Sequence, residues 1–340
     1  MQWPDVLSRL ASGADLSRDE ARASMTEIMA GSATQGQIAA FIVALRIKGE
    51  TVDEMTGLVE AMREAAVSVD VGVPVVDVVG TGGDRSGTFN ISTTAAFIAA
   101  GAGCTVAKHG NRSASSRCGS ADVLEGLGMI IDLEPDQTVA LIRETGFGFF
   151  FAPRYHPAMR HAGPVRKELG IPTVFNFLGP LANPAGATRQ TVGVSDPKMA
   201  ERMIGVLEHL GSEYAFVTHG EDGLDEVTTT GPTYIYRLRN GEITHGEFTP
   251  EDFGVPRAAP GDLAGGDVGD NVAITRDILA GAPGPKRDIA VVNAAPAIVA
   301  AGMAPDFVEA VQLAQESIDT GKAAETLELA VQRSRELAGS

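Results

Sequence analysis

The first seventy residues carry apolar positions at helical spacing and no convincing strand. Ile38, Phe41, Ile42 and Leu45 fall at i, i+3, i+4 and i+7, the stripe of a helix that buries one face. Asp19-Glu20-Ala21 opens another amphipathic segment. Thr51, with Glu54 three residues on, has the form of a capping box ahead of the run 55–66. Residues 5–70 are therefore read as a helical unit. From residue 73 the pattern changes. Residues 73–79 form a short β-branched run ending at glycines, which marks a strand buried on both faces. Helices are predicted from Ser92 or Thr93 to Ala100 and over 121–127, and strands over 104–107, 129–131, 148–151 and 213–218. Residues 157–169 read as a helix, with Pro157 in its first turn, Gly170 at its end and a kink or break at Pro164. Residues 258–270, rich in Gly, Ala and Asp, read as loop, and 288–302 and 305–335 as closing helices. Strands alternating with helices predict an α/β fold: a small all-helical domain plus a larger α/β domain with a mostly parallel central sheet.

Composition narrows the partners. The chain has 340 residues, 44% hydrophobic and 21% charged, as expected of a folded protein of one large domain or two. A net charge of −17 argues against a nucleic-acid partner. It also requires any phosphate site to make positive potential locally, from Lys, Arg, backbone N–H groups or a metal. Cys104 and Cys118 form no C-x-x-C pair, so no disulfide framework is predicted and a reducing, cytoplasmic compartment is expected. Residues 1–16 lack the apolar core of a signal peptide. The longest apolar stretch, 95–107, is too short to span a bilayer, so no membrane partner is expected.

Chemistry concentrates in four places. Gly80-Thr81-Gly82-Gly83-Asp84 ends the first predicted strand, and Lys108-His109-Gly110-Asn111-Arg112-Ser113-Ala114-Ser115-Ser116 ends the second. Ligands of such sheets sit outside the carboxyl ends of the strands. The first run lacks both the G-x-G-x-x-G spacing and the Lys-Ser/Thr of a P-loop. Glycines let backbone amides approach phosphate oxygens, and Thr88, Asn90, Ser92 and Thr93 cluster where a helix should begin. Ser92 or Thr93 reads as the helix cap and the same helix N-terminus as a phosphate site, two compatible readings, and Ser120 as a cap, a ligand or both. Asp225 and Glu226 follow a strand and a glycine turn; they read as solvated carboxylates or, beside a phosphate site, as Mg²⁺ ligands. No His/Cys constellation for zinc is present. Arg166 favours either a helix C-terminus or bidentate recognition of a carboxylate. His109 and His156 read as acid/base groups or as polar pocket lining.

Taken together, the runs DVVGTGGDRSGTFNISTTAAFIAAGAG, VAKHGNRSASSRCGSADVLEGLG, HPAMRHAGPVRKELGIPTVFNFLGPLANP and HGEDGLDEVT closely resemble the anthranilate phosphoribosyltransferase family, over about residues 5–325. The resemblance implies a nucleoside phosphorylase/phosphoribosyltransferase type of fold, with residues 1–72 plus about 157–184 as the helical domain and 73–156 plus 185–340 as the α/β domain. It implies transfer of the 5-phosphoribosyl group from 5-phosphoribosyl-1-diphosphate (PRPP) to anthranilate in tryptophan biosynthesis. By the same resemblance Gly80, Gly83, Asp84, Thr88, Asn90, Ile91, Ser92, Thr93, Lys108 to Ser116 and Ser120 hold PRPP. Gly80, Asn111 and Arg166 meet anthranilate with His109 and His156 nearby, and Lys108, Asn111 and Arg166 are the catalytic set. Ser92, Asp225 and Glu226 hold Mg²⁺, two ions being expected, and the chain is expected to form a homodimer through its helical domain. Arg117-Cys118 stands where a Lys-Ser pair is common and Ala114 where Val is frequent; an exposed Cys118 would make the enzyme oxidation-sensitive. A pyrimidine-nucleoside phosphorylase shares the architecture but differs in its phosphate loop. A nucleic-acid-binding relative would be basic and lack Arg166 and the Asp225-Glu226 pair.

Overall fold

The structure, a computed structural model, describes residues 2–113 and 117–339. Four helices open the chain, α1 (Trp3–Ala11), α2 (Arg18–Met29), α3 (Gln35–Lys48) and α4 (Val52–Glu64). Ser17, Thr34 and Thr51 start α2 to α4 with reciprocal capping boxes, so three successive helix starts are encoded locally. The α3 stripe Ile38, Phe41, Ile42 and Leu45 is buried.

The chain then enters the sheet through β1 (Val76–Gly80), α5 (Ile91–Gly101), β2 (Val106–Gly110), α6 (Ser120–Leu127), α7 (Pro135–Thr145) and β3 (Phe147–Phe151). It returns past the helical unit as α8 (Ala152–Tyr155), a 3₁₀ turn (Pro157–His161), α9 (Gly163–Leu169) and α10 (Phe175–Leu178). It then adds β4 (Arg189–Gly193), α11 (Pro197–His209), β5 (Tyr214–Gly220), β6 (Thr233–Arg239) and β7 (Glu242–Phe248), and closes with α12 (Val268–Leu279), α13 (Pro285–Ala300), α14 (Phe307–Asp319) and α15 (Lys322–Ala338). The sheet order is β3-β2-β1-β4-β5-β6-β7. Pairs from β3 to β5 are parallel and the last two antiparallel. The chain leaves β1 toward β2 and β3 and comes back to β1's other edge as β4. The order therefore reverses between β1 and β4, where a crevice opens at the carboxyl ends.

One face of the sheet is covered by α5, α6 and α12 to α15 around Phe97, Phe147 and Ile298. The other face packs a cluster that joins α1 to α4, residues 162–182 and α11.

Several expectations need correction. Residues 129–131 form no strand: Met129 and Ile131 are buried and Ile130 exposed, but the Ile130 N–H donates to Ser334 Oγ (3.0 Å) instead of a neighbouring strand. The 157–169 helix is broken as foreseen, the break falling at Ala162 so that Pro164 sits in the first turn of α9. Residues 305–335 are two helices, parted at Thr320 and Gly321. Residues 258–270 contain a 3₁₀ turn (Pro260–Leu263) and the Asp267 cap of α12. The hairpin β6–β7 was not foreseen, although its turn, Asn240-Gly241, is the strongest short hairpin signal. Both residues have positive φ, 51° and 80°.

Candidate active site

A cleft of about 960 Å³ lies over the carboxyl ends of β1 and β2 and is walled on its far side by residues 152–180. Apart from Ala114, Ser115 and Ser116, which lie outside the described residues, every residue singled out above lines it.

The inner wall starts at the switch point. Gly80 ends β1 opposite Gly193, which ends β4. Both lie directly under Asp225: a Cβ on Gly80 would come 2.5 Å from Asp225 Oδ2, and one on Gly193 would overlap the Asp225 carbonyl. Only glycine at both strand ends lets the Asp225-Glu226 turn settle onto the sheet. The loop after β1 continues through Gly82 and Gly83 at φ of 67° and 83°. The Gly82 N–H donates to Asp225 Oδ2 (2.6 Å), and Ser86 Oγ donates to Asp84 Oδ2 (2.6 Å). Thr88 and Phe89 are tied to residues 263–265 by an isolated bridge and by the Phe89 N–H to Leu263 carbonyl bond.

The cap of α5 lies two residues ahead of Ser92, the earlier of the two candidate caps. Asn90 occupies the cap position without a side-chain cap bond, its Nδ2 donating instead to the Cys118 carbonyl (3.2 Å). Ser92 and Thr93 are first-turn residues. The Ser92 N–H donates to Glu226 Oε1 (3.1 Å), so a carboxylate already answers one free amide of the helix. Ser120 likewise does not cap α6; Gly119 does, with its N–H on Asp122 Oδ2 (2.8 Å), while Ser120 Oγ donates to the Asn111 carbonyl (3.2 Å).

Lys108 is buried at the end of β2, where Nζ donates to the Val78 carbonyl and to Ser92 Oγ (3.4 Å). Burial pulls its pKa down, opposed by the charges of Asp77, Glu226 and Asp225. Asp225 is pushed up to about 7 by burial and by Asp84, and Glu226 well above its ordinary range by burial and by Asp225. Asp225 and Glu226 thus lie buried side by side, with Asp84 near enough to raise both and the Lys108 ammonium beside them. Oxygen donors of this kind suit Mg²⁺. Among the described residues no three His, Cys, Asp or Glu side chains close around a common centre, so the protein would supply only part of a metal's shell.

Arg112 and Asn111 lie at the mouth. Arg112 pairs with Asp122 (3.2 Å) and Glu125 and stacks over Phe151, and Asn111 Oδ1 accepts the Arg112 N–H (2.7 Å). Cys118 is buried and its thiol is pushed up to about 11, chiefly by burial, so the condition for oxidation sensitivity is not met.

The outer wall is different. Arg166, half-buried on α9, lies over the Phe175 ring (5.3 Å) with no carboxylate partner among the described residues. Burial alone lowers its pKa. The alternation of β2 sends Lys108 toward α5 and the next residue, His109, to the opposite face, where its Nδ1 meets the Gly179 carbonyl oxygen (3.1 Å). His156 stands 5.0 Å away, ring to ring. Beneath them Asp77, on β1, accepts the His109 N–H (3.1 Å) and Asn183 Nδ2 (2.7 Å). Asn183 Nδ2 also donates to the Ala107 carbonyl (2.8 Å).

Sequence reasoning missed Gly193, Asn271, Gly265, Gly266 and Asn176, all of which line the cleft or support it. Gly193 had a signal, a short β-branched run ending in glycine; Gly265 and Gly266 sit in a loop, and Asn176 and Asn271 in helices α10 and α12, with no local signal.

Residues 4–66 match the helical bundle domain of the glycosyl transferase family and residues 72–324 its a/b domain. The chain is 55% identical over 326 residues to an anthranilate phosphoribosyltransferase of Moorella thermoacetica, covering 96% of each, and 52% identical over 318 residues to that of Bradyrhizobium diazoefficiens, covering 94% of each. Among solved structures it is similar to the Thermus thermophilus anthranilate phosphoribosyltransferase, with a TM-score of 0.92 and 43% identity over 97% of this chain and 99% of that one. It is also similar to the Saccharomyces cerevisiae enzyme in complex with PRPP and Mg, with a TM-score of 0.90 and 27% identity over 98% of both.

Proposed function

The chain belongs to the anthranilate phosphoribosyltransferases, and from that premise we propose how its residues divide the work. The enzyme joins anthranilate to PRPP, releasing diphosphate and giving N-(5-phosphoribosyl)anthranilate in L-tryptophan biosynthesis. The observation that carries the division is the opposition of the two walls: buried carboxylates and strand-end amides on one side, an unpaired guanidinium on the other.

The inner wall takes PRPP. The loop from Gly80 to Thr88, the start of α5, Lys108, Gly110 to Ser113 and Ser120 would form the cradle, with amides and hydroxyls offered to phosphate and ribose oxygens. Ser92, Asp225 and Glu226 would hold Mg²⁺, which we place as two ions. When bound, the metal offsets negative charge on the diphosphate. Lys108 supports the same departing charge from beneath, through a buried ammonium whose position is set by the Val78 carbonyl. The outer wall takes anthranilate, its carboxylate on Arg166 and its ring beside Phe175, with Gly80, Asn111, His109 and His156 around it. Arg166 and Asn111 direct the amine at C1 of the ribose, where positioning supplies much of the rate.

Residues 1–72 with about 157–184 would act as one unit and pair two copies of the chain; exposed Ile47 and Ile171 on that unit suit such a contact. No helix among the described residues is long and apolar enough to cross a membrane. Cys104 and Cys118 are buried and form no disulfide among the described residues, which suits the cytoplasm. Loss of anthranilate fluorescence on adding PRPP and Mg²⁺ tests the reading. The reading expects turnover that needs all three. Turnover of a pyrimidine nucleoside with phosphate, and none of anthranilate, would overturn it.

A further inference from the structure

Two imidazoles in the cleft each keep one nitrogen with no protein partner. His109 and His156 are 4% and 7% exposed, and Nε2 of each is buried without a hydrogen bond to any described residue. The Gly179 carbonyl 3.1 Å from His109 Nδ1 can only accept, so Nδ1 carries the hydrogen. Nε2 of the neutral ring is then a bare lone pair. His156, 5.0 Å away ring to ring, likewise leaves its buried Nε2 without a partner among the described residues. Burial first, then His156, hold His109 down at about 3, so its ring is neutral at any working pH. A buried acceptor without a donor costs about 1–3 kcal/mol. A ligand that brings a donor removes that cost.

The substrates offer two kinds of donor, ribose hydroxyls and the anthranilate amine. His109 faces the outer wall with Gly179 and His156, on the side of the sheet away from Lys108 and Ser92. The amine is the donor that belongs there. The chemistry also leaves a proton to place. As the amine lone pair forms the C1–N bond, the C1–O bond breaks and its electron pair leaves on diphosphate. The nitrogen then carries a positive charge and one hydrogen too many. We infer that Nε2 of His109 accepts that proton, making His109 a catalytic residue, while Nε2 of His156 orients the amine as a second acceptor. The carbonyl-anchored ring of His109 thereby presents a lone pair, not an N–H group, to the incoming nucleophile. An N-alkylated anilinium is a strong acid, so a weak acceptor suffices. The imidazolium formed returns its proton to solvent as product leaves.

This rests on anthranilate occupying the outer wall, and the test separates the two. In His109→Gln an amide oxygen remains as an acceptor that takes no proton; in His109→Ala a space remains for a soluble azole. We expect kcat/KM for anthranilate to fall about a hundredfold in both variants, with the PRPP KM within twofold of the parent. Imidazole should restore turnover to His109→Ala, and pyrrole, of the same size but with no ring-nitrogen lone pair to accept a proton, should not. Activity of His109→Gln within threefold of the parent, equal restoration by both rings, or restoration by neither would overturn the proton assignment. If Arg166→Ala still raises the anthranilate KM in the same assays, the substrate's placement stands and only the role of His109 has failed.

Discussion

Along the inner wall of the cleft the charged groups already answer one another, whereas across it they wait. Asp225 has the Gly82 amide, Glu226 the Ser92 amide, and Lys108 a carbonyl and a hydroxyl. Among the described residues Arg166 has an aromatic face and no carboxylate, and His109 and His156 each keep an open Nε2. The inner wall is assembled from strand ends and backbone amides, whose positions the sheet sets, so it is arranged before any ligand arrives. The outer wall is assembled from side chains on short helices and 3₁₀ turns, and its polar atoms are completed by the substrate. A phosphate tail is common to many metabolites and needs a rigid anion cradle. An aminobenzoate is identified by its particular donors and acceptors, and open atoms read them.

The contrast breaks most severely at the carboxylate pair. Asp225→Asn with Glu226→Gln should cut turnover about 10³-fold while the thermal transition of the metal-free protein stays the same or rises, because crowded buried charges are gone. Activity at limiting Mg²⁺ equal to the parent's would remove the metal assignment. Arg166→Ala probes the other wall alone. Loss of a hydrogen-bonded charge is worth about 1.5–3 kcal/mol, so the anthranilate KM should rise more than tenfold with the PRPP KM almost unchanged; equal shifts in both would contradict the separation of the walls.

The rigidity of the inner wall can be tested without touching a polar group. Gly193→Ala places a methyl on the Asp225 carbonyl and should cost about 1–3 kcal/mol in denaturant melts, with a weaker PRPP affinity. Gly82→Ala meets no atom within 4 Å and should cost only the strain of its φ of 67°, about 1 kcal/mol. If the two variants proved equally stable, the close approach at the switch point would not matter.

The smallest effect lies beneath both walls. Asp77 is pushed up to about 6, mainly by burial. Folding therefore takes up a proton between the ordinary carboxylate range and pH 6. That contribution to stability is fully present below about pH 4 and is lost as the pH rises through about 6. Asn cannot titrate, so the penalty of Asp77→Asn should be about 1 kcal/mol larger at pH 5 than at pH 7.5. Urea melts at the two values check the sign; a penalty that grows toward pH 7.5 would mean that Asp77 is held charged by its partners.

Much of this was legible along the chain. The α3 stripe and the Thr51 box lie where periodicity and capping place them, because both depend on residues three or four apart. The glycine runs at the ends of β1 and β2 were legible for the same reason. The 129–131 run shows the limit: it has strand composition and alternating burial, but no neighbour to pair with. The turn at 263–266 reaches the cleft through contacts with Gly87 and Phe89, far away along the chain, and carries no local mark.

By itself the sequence determined the helical unit, the alternation into an α/β chain, the strand-end glycines and the stock of ligand-type side chains, since each follows from backbone preference and short-range spacing. Only the tertiary structure decided which of them face one another. It set Asp225 on Gly80 and Gly193, turned Lys108 and His109 to opposite sides of one strand, and left Arg166 without a counter-charge. Those outcomes depend on packing and desolvation among segments far apart in the chain. Local residue patterns specify torsion angles; they do not specify the surroundings in which a charge is finally buried.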